Sequence, residues 1–349
     1  VDIAAQAIEV VSAGQSGMDG YLTLTADGLD ALGAGSLLLG GTRQLGSNGY
    51  QVTTSADSVV LSNDASHPLQ GSEILLAANG LGHAGAQGVV VDNGSVLLAS
   101  GAASSGTSIP LIFGVAPGKD ANGNAIAGVN GDGALLRVSQ NGAASVVRNN
   151  TSTAGVGQLT IGAGAHVDGG SALTLDATGA TSVDATAALS AKAIDSYSNQ
   201  ISFVGSDASL ASGNGGFVIG PDTLNLLRGA QSVTLRSRGN IGFYGDVDID
   251  LSHDLGLSAG TFTSDGGAVT IEADHLSLSN DLGASNLAFT SGSGQLSIHA
   301  NEVDFGAGNT GLNGFGAFAA TANQGMKGQG SGSFNAGASN VGSALGTLS

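Results

Sequence analysis

The segment GDVDIDLSHD, residues 245–254, alternates carboxylates with aliphatic side chains: Asp246, Asp248 and Asp250 against Val247, Ile249 and Leu251. Side chains at i, i+2 and i+4 of an extended strand share one face, so the three acids look one way and the aliphatics the other. Such a row suits two chemistries, contact with a cation or glycan and acid–base work on a sugar polymer. Carboxylates two residues apart on a strand are separated by about 7 Å. That is wide for one Ca²⁺ shell, whose oxygens lie at about 2.3–2.6 Å, so a neighbouring strand would have to complete a cation site. Acid–base chemistry would want a basic residue beside the acids, and Arg236 and Arg238 are close in sequence. The least demanding reading is a solvated outer face. Asp246, Asp248 and Asp250 therefore stand as surface binding candidates only, and no catalytic or metal-ligating residue is assigned.

A second stretch, GAVTIEADHLSLSN (267–280), puts Glu272, Asp274 and His275 within four residues. Glu272 points away from Val269 and Ile271 on a strand. Laying VTIEADHLSL (269–278) over LSIHANEVDF (296–305) pairs Val269 and Ile271 with Leu296 and Ile298, Ala273 with Ala300, and Leu276 and Leu278 with Val303 and Phe305. In that register Glu272 meets His299, and His275 meets Glu302. A general base needs a perturbed pKa and a pocket that holds substrate. The spacing predicts neither; it predicts outward acid–histidine ladders whose polar letters change while the alanine at the joint stays.

Other motifs carry less. In DANGNAIAGVNGDG (120–133), Asp120, Asn122 and Asn124 echo the start of an EF-hand loop, but Ala125 stands where its glycine belongs and Gly131 where its glutamate belongs. Turn chemistry accounts for the segment. GAGSLLLGGTR (33–43) is glycine-rich but lacks the strand–GxGxxG–helix context of a nucleotide site. The pairs Thr23/Thr25 and Thr261/Thr263 do not recur in register, and the histidines show no metal-ligand spacing. No cofactor is expected.

The elements that would position these residues are short strands ended by Gly, Asn, Asp or Ser, among them YLTLTADG (21–28), SVVLSND (58–64), SEILLAANG (72–80), ALTLDATG (172–179) and SVTLRSRG (232–239). Only TLNLLRGAQ (223–231) suggests a helical turn. Such units cannot bury an apolar face alone; stacked in parallel they share one core. The expected fold is all-β, a right-handed parallel β-helix (β-solenoid), over residues 1–305. Glycine serves corners that need positive φ, and only four prolines interrupt the ladders. Residues 102–155, with two prolines and the Gly/Asn-rich run above, are expected to be an irregular insertion. Residues 306–349, Gly/Ala/Ser/Asn-rich and free of acids, are expected to be degenerate repeats or a linker.

Composition agrees with many thin, similar layers. Sixty of 349 residues are Gly, aromatics are 4% and charged residues 10%, yet 41% are hydrophobic, which separates the chain from disordered sequences. There is no cysteine, which excludes disulfides and thiolate metal sites. The formal charge of −18, with nine basic residues against 27 acidic, argues against a nucleic-acid partner, because phosphate binding needs a basic stripe. The N-terminal VDIAAQAIEV lacks the basic-then-apolar layout of a signal peptide. If the protein is exported, a processed chain or an internal piece of a longer one is expected.

Three stretches go beyond generic repeats: LGAGSLLLGGTR (32–43), GDGALLRVS (131–139) and LRSRGNIGFYGDVDID (235–250). In this order they resemble the filamentous haemagglutinin family of bacterial exoproteins, in the repeat region downstream of its secretion domain; the resemblance covers most of residues 20–305. It implies a long right-handed β-helical protein exported by two-partner secretion, serving as an adhesin, biofilm scaffold or stalk. The expected function is then structural and non-enzymatic: a stiff segment of a secreted, filament-forming surface protein. Its expected partners are other copies of itself, host-cell or matrix glycans and, by resemblance, an outer-membrane transporter. The alternative is a β-helical polysaccharide-active enzyme or glycan-binding module. An active site would show as a groove with Asp246, Asp248 or Asp250 beside a basic residue.

Overall fold

The computed structural model describes residues 1–81, 87–103, 108–119, 122–152, 156–210 and 216–337. The protein is mostly β, with long parallel sheets and two short helices. The chain divides into two compact units, Val1–Ile194 and Asp195–Ser349.

In the first unit the chain visits three ladders in turn, parallel but for one strand. Ser58–Ser62 lies in one, Leu69–Gly71 in the next and Glu73–Ala78 in the third; the cycle then restarts with Gly88–Val91 and Val96–Ala99. Equivalent strands pair in register, Val59 with Val89 and Val89 with Leu159, so Val, Leu and Ile stack upon their own kind in the core. Gly40, at φ 101°, sits where the chain turns out of the Leu37–Leu39 strand. A Cβ there would lie 1.9 Å from the Ala77 carbonyl oxygen, so only glycine allows the next layer to approach.

Two features depart from the sequence expectation. YLTLTADG is a strand only to Thr25. The Thr25 hydroxyl then accepts from Gly28 N (3.2 Å) and caps a short helix, Ala26–Asp30. Within the span expected to be irregular, Ala134–Ser139 takes its place between Glu73–Ala78 and Ala172–Ala177, but it runs antiparallel to both. The chain reaches it after an excursion through Leu111–Phe113, which pairs with the Gly41–Gly46/Gly49–Thr54 hairpin side of a separate four-stranded sheet. It therefore enters from the opposite end. Buried charge ties this reversed strand to one neighbour and ties the other neighbour, Ala172–Ala177, to the chain on either side of it. Arg137, 1% exposed, donates from Nε and Nη2 to Glu73 Oε1 (2.9 and 2.6 Å). Arg148 donates from Nε to Asp176 Oδ2 (2.7 Å) and from Nη1 to Gly131 O (2.6 Å), with its guanidinium 4.3 Å from the Phe113 ring centre.

The second unit is more regular. Val247–Ser258, Ala268–Ser279, Gly294–Phe305 and Phe315–Gly328 form successive parallel strands of 12 to 14 residues. Inward columns run Val247–Val269–Leu296–Phe318 and Ile249–Ile271–Ile298–Ala320. The alignment of 269–278 over 296–305 is the observed register, residue for residue, including Glu272 opposite His299 and His275 opposite Glu302. TLNLLRGAQ contributes to a helix, Pro221–Leu227, which buries Leu224 and Leu227. Beyond residue 305 the chain continues as strands Gly308–Asn313, Phe315–Gly328 and Gly332–Asn335. No helix among the described residues is long and apolar enough to cross a membrane.

Candidate functional site

The outer face of the long sheet in the second unit carries the polar residues singled out above. Its strands change phase at a column of mostly small side chains, Leu251–Ala273–Ala300–Ala322. Before the column, residues 247, 249, 269 and 271 face inward; after it, residues 255, 257, 276 and 278 do. Glu272 and Asp274 therefore flank the alanine on the outside, and an open cleft of about 470 Å³ follows the joint. One wall is the ladder Asp250–Glu272–His299–Thr321. The other is Asp274–Asn301–Asn323, in which Asn301 Nδ2 donates to Asp274 Oδ1 (2.5 Å) and Asn323 Nδ2 to Asn301 Oδ1 (2.9 Å). The outward ladders are as the spacing predicts. The concavity is not: it arises where two arms of each strand meet over a small residue, and a linear pattern holds no angle.

Asp246, Asp248 and Asp250 are all exposed, with Val247, Ile249 and Leu251 buried beneath them. They are nevertheless divided between two clefts. Asp250 belongs to the one just described. Asp246 and Asp248 line another of about 190 Å³ together with Arg228, Asn225 and Ser206. Asp246 Oδ1 also accepts from Ala268 N (2.8 Å), tying its strand to the next. The cation beside the acids is thus Arg228, whose Nε donates to the Asp250 carbonyl (3.1 Å), and not Arg236. Arg236 is occupied elsewhere: Nη1 lies 2.5 Å from Asp195 Oδ1, Nε 3.4 Å from Asp281, and the guanidinium 5.1 Å from the Tyr197 ring centre. Burial alone would lower its pKa; Tyr197, Asp195 and Asp281 outweigh burial and hold it above the ordinary value.

His275 is drawn away from Glu272. Its Nε2 sits 3.0 Å from Asp304 Oδ2, and the Asp304 side chain is 7% exposed. Gln329 Nε2 donates to the same oxygen (2.5 Å), and Lys327 pairs with Glu302. Sequence reading paired His275 with Glu302, its in-register neighbour, and missed Asp304, which lies two residues further along that strand. The signal was present, since residues 302 and 304 alternate with inward Val303 and Phe305.

Asp120 lies outside the described residues; beside it, Gly118–Lys119 and Ala125–Ile126 close as an antiparallel hairpin, in keeping with turn chemistry. Among the described residues no three His, Asp or Glu side chains converge in a way that would hold a metal ion. No protein-family model, curated protein or solved structure matches the chain.

Proposed function

We propose that the chain is a stretch of right-handed parallel β-helix, a β-solenoid, within a secreted, filament-forming bacterial surface protein of the adhesin or biofilm-scaffold kind. On this reading residues 1–305 are the rod, the reversed strand and its excursion are the irregular stretch near 102–155, and 306–349 are degenerate repeats. One observation carries the reading: consecutive parallel strands stack like on like, as in Val247–Val269–Leu296–Phe318, so each layer buries its apolar face only against the next. The function is mechanical and non-enzymatic. Stacked aliphatics and backbone ladders give stiffness, and the polar outer face meets other copies or host-cell and matrix glycans. The motif resemblance adds an outer-membrane transporter of a two-partner system as the export partner, with the product at the cell surface. Negative-stain electron microscopy of the purified chain tests this. Elongated particles that associate into fibres are expected; compact monodisperse particles would overturn it.

A second reading, a glycan-binding or polysaccharide-active module, draws support from the outer clefts and from Arg228 beside Asp246 and Asp248. Binding to a glycan panel, lost in Asp248→Asn, is its expected result; depolymerisation of a polysaccharide would add catalysis to it.

A further inference from the structure

On the second arm of the long sheet, the outward side chains form a grid. Three columns run across the strands: Ser232–Asp254–His275, Thr234–Gly256–Ser277 and Arg236–Ser258–Ser279. The centre of the grid is Gly256, and it is the only one of these nine without a side chain. A cleft of about 250 Å³ opens there, walled by Arg236, Asp254, His275, Ser277 and Asp281. The glycine is not required by the backbone: its φ is outside the left-handed region, and it lies inside a strand between buried Leu255 and Leu257. Glycine within a strand weakens it, and it marks places where a ligand or another backbone approaches closely. No backbone crosses here; the glycine makes room for the Thr234 side chain, whose Cγ2 would lie 2.9 Å from an added Cβ, and the cleft opens beside that contact.

The wall beside this gap is set by a buried group. Asp304 accepts from His275 Nε2, so in the neutral ring Nε2 carries the proton and Nδ1 the lone pair. Nδ1 has no hydrogen-bond partner among the described residues. Nδ1 of the neutral imidazole as acceptor, a carboxylate (Asp254), a hydroxyl (Ser277) and a guanidinium (Arg236) thus surround the cleft beside Gly256. That mixture of donors and acceptors fits a ligand whose own groups both donate and accept, namely sugar hydroxyls. The cleft is smaller than sites for drug-sized ligands, which hold about 300–1,000 Å³, so it suits a single ring. Charge sets the class further. Arg236 is already balanced by Asp195 and Asp281, which leaves Asp254 in excess and disfavours a carboxylated sugar.

We infer that the cleft over Gly256 is a saccharide subsite for one neutral or amino sugar ring, with His275, positioned by Asp304, accepting a hydrogen bond from a ring hydroxyl. The inference rests on the glycan-contact reading above and gives it a place and a ligand class; it does not depend on fibre formation.

The chain has six histidines, so imidazole ¹H–¹³C spectra of the full protein resolve the question. Methyl glucoside, methyl glucosaminide and methyl glucuronide would be titrated, with the His275 signal assigned by its loss in His275→Gln. The first two glycosides are expected to move His275 and the glucuronide to leave it still. Asp304→Leu, which removes the acceptor that positions His275, is expected to weaken binding about tenfold, the order of one lost hydrogen bond, and Gly256→Val to abolish it. Should Gly256→Val fail to fold, saturation transfer to the glycoside in His275→Gln serves instead, where binding should fall equally. Movement of His299 alone would overturn the Gly256 subsite while leaving the glycan-contact reading intact, because His299 lines the larger cleft. No movement of either histidine would overturn the Gly256 subsite and leave the glycan-contact reading to the cleft of Asp248, which no histidine lines. An equal response to the glucuronide, or unchanged binding in both Asp304→Leu and His275→Gln, would also overturn the assignment.

Discussion

The tetrapeptide Leu-Ser-Asn-Asp occurs once in each unit, at residues 61–64 and 278–281. The two asparagines do the same work. Asn63 Nδ2 donates to the carbonyls of His67 (2.8 Å) and Val96 (2.9 Å), and its Oδ1 accepts from Val96 N (2.9 Å). Asn280 Nδ2 donates to the carbonyls of Ala284 (2.8 Å) and Asn309 (2.7 Å), and its Oδ1 accepts from Ala284 N (2.8 Å). Each is buried, closes its own turn at i+4 and reaches across to the following layer. The two aspartates differ. Asp64 accepts from the hydroxyl of Ser66 in its own turn and from that of Ser12 in the adjoining layer. Asp281 reaches Arg236 instead. A repeated asparagine here marks backbone that no ladder satisfies, whereas the acid after it takes whatever partner its unit offers.

The largest expected effect belongs to a feature of the first unit with no counterpart at the second corner. Asp176 and Arg148 are 0% and 1% exposed at their side chains, so Asp176→Ala strands a buried guanidinium. A loss of about 3–5 kcal/mol is expected, read as a fall in urea midpoint by far-ultraviolet circular dichroism. The asparagines come next. Asn63→Ala and Asn280→Ala each expose buried backbone groups without partners, costing about 2–3 kcal/mol. Equal losses would establish the two corners as one device; a silent Asn280→Ala would break the equivalence. Asp281→Asn touches a partly exposed pair and should cost under about 1 kcal/mol, with Arg236 still held by Asp195.

The smallest effect is one of pH. Hydrogen bonds from the Ser66 hydroxyl, the Ser12 hydroxyl and the Ser66 amide hold the Asp64 carboxyl down at about 2, from an ordinary 3.8. The folded state therefore binds this proton less readily than the unfolded chain. The contribution of Asp64 to stability is complete above 3.8 and is lost as the pH falls through about 2. A carboxyl ¹³C titration should show Asp64 still ionised at pH 3, and Ser66→Ala should raise its midpoint.

How much of this was legible beforehand varies by residue. The stacking of 269–278 upon 296–305 was, because period-2 alternation with one slip at Ala273 admits a single register that buries both arms. The exposure of Asp246, Asp248 and Asp250 followed from the same alternation. Their division between two clefts did not, since it depends on Arg228 arriving from the helix at Pro221–Leu227. GDGALLRVS falls within the span expected to be an irregular insertion, yet Ala134–Ser139 is a stacked strand, and an antiparallel one. Alternation looks the same in either direction along a chain, so direction leaves no trace in the pattern.

Sequence by itself determined which side chains of the long strands face in and that 269–278 stacks on 296–305. These follow from the geometry of a pleated strand and from the cost of leaving Leu, Ile and Val in water. The tertiary structure alone decided the rest. It paired His275 with Asp304 rather than Glu302, gave Arg236 to Asp195, reversed Ala134–Ser139 and opened a cleft beside Gly256. Each of those outcomes is set by distances across strands far apart in the chain, and such distances exist only once the layers have closed on one another.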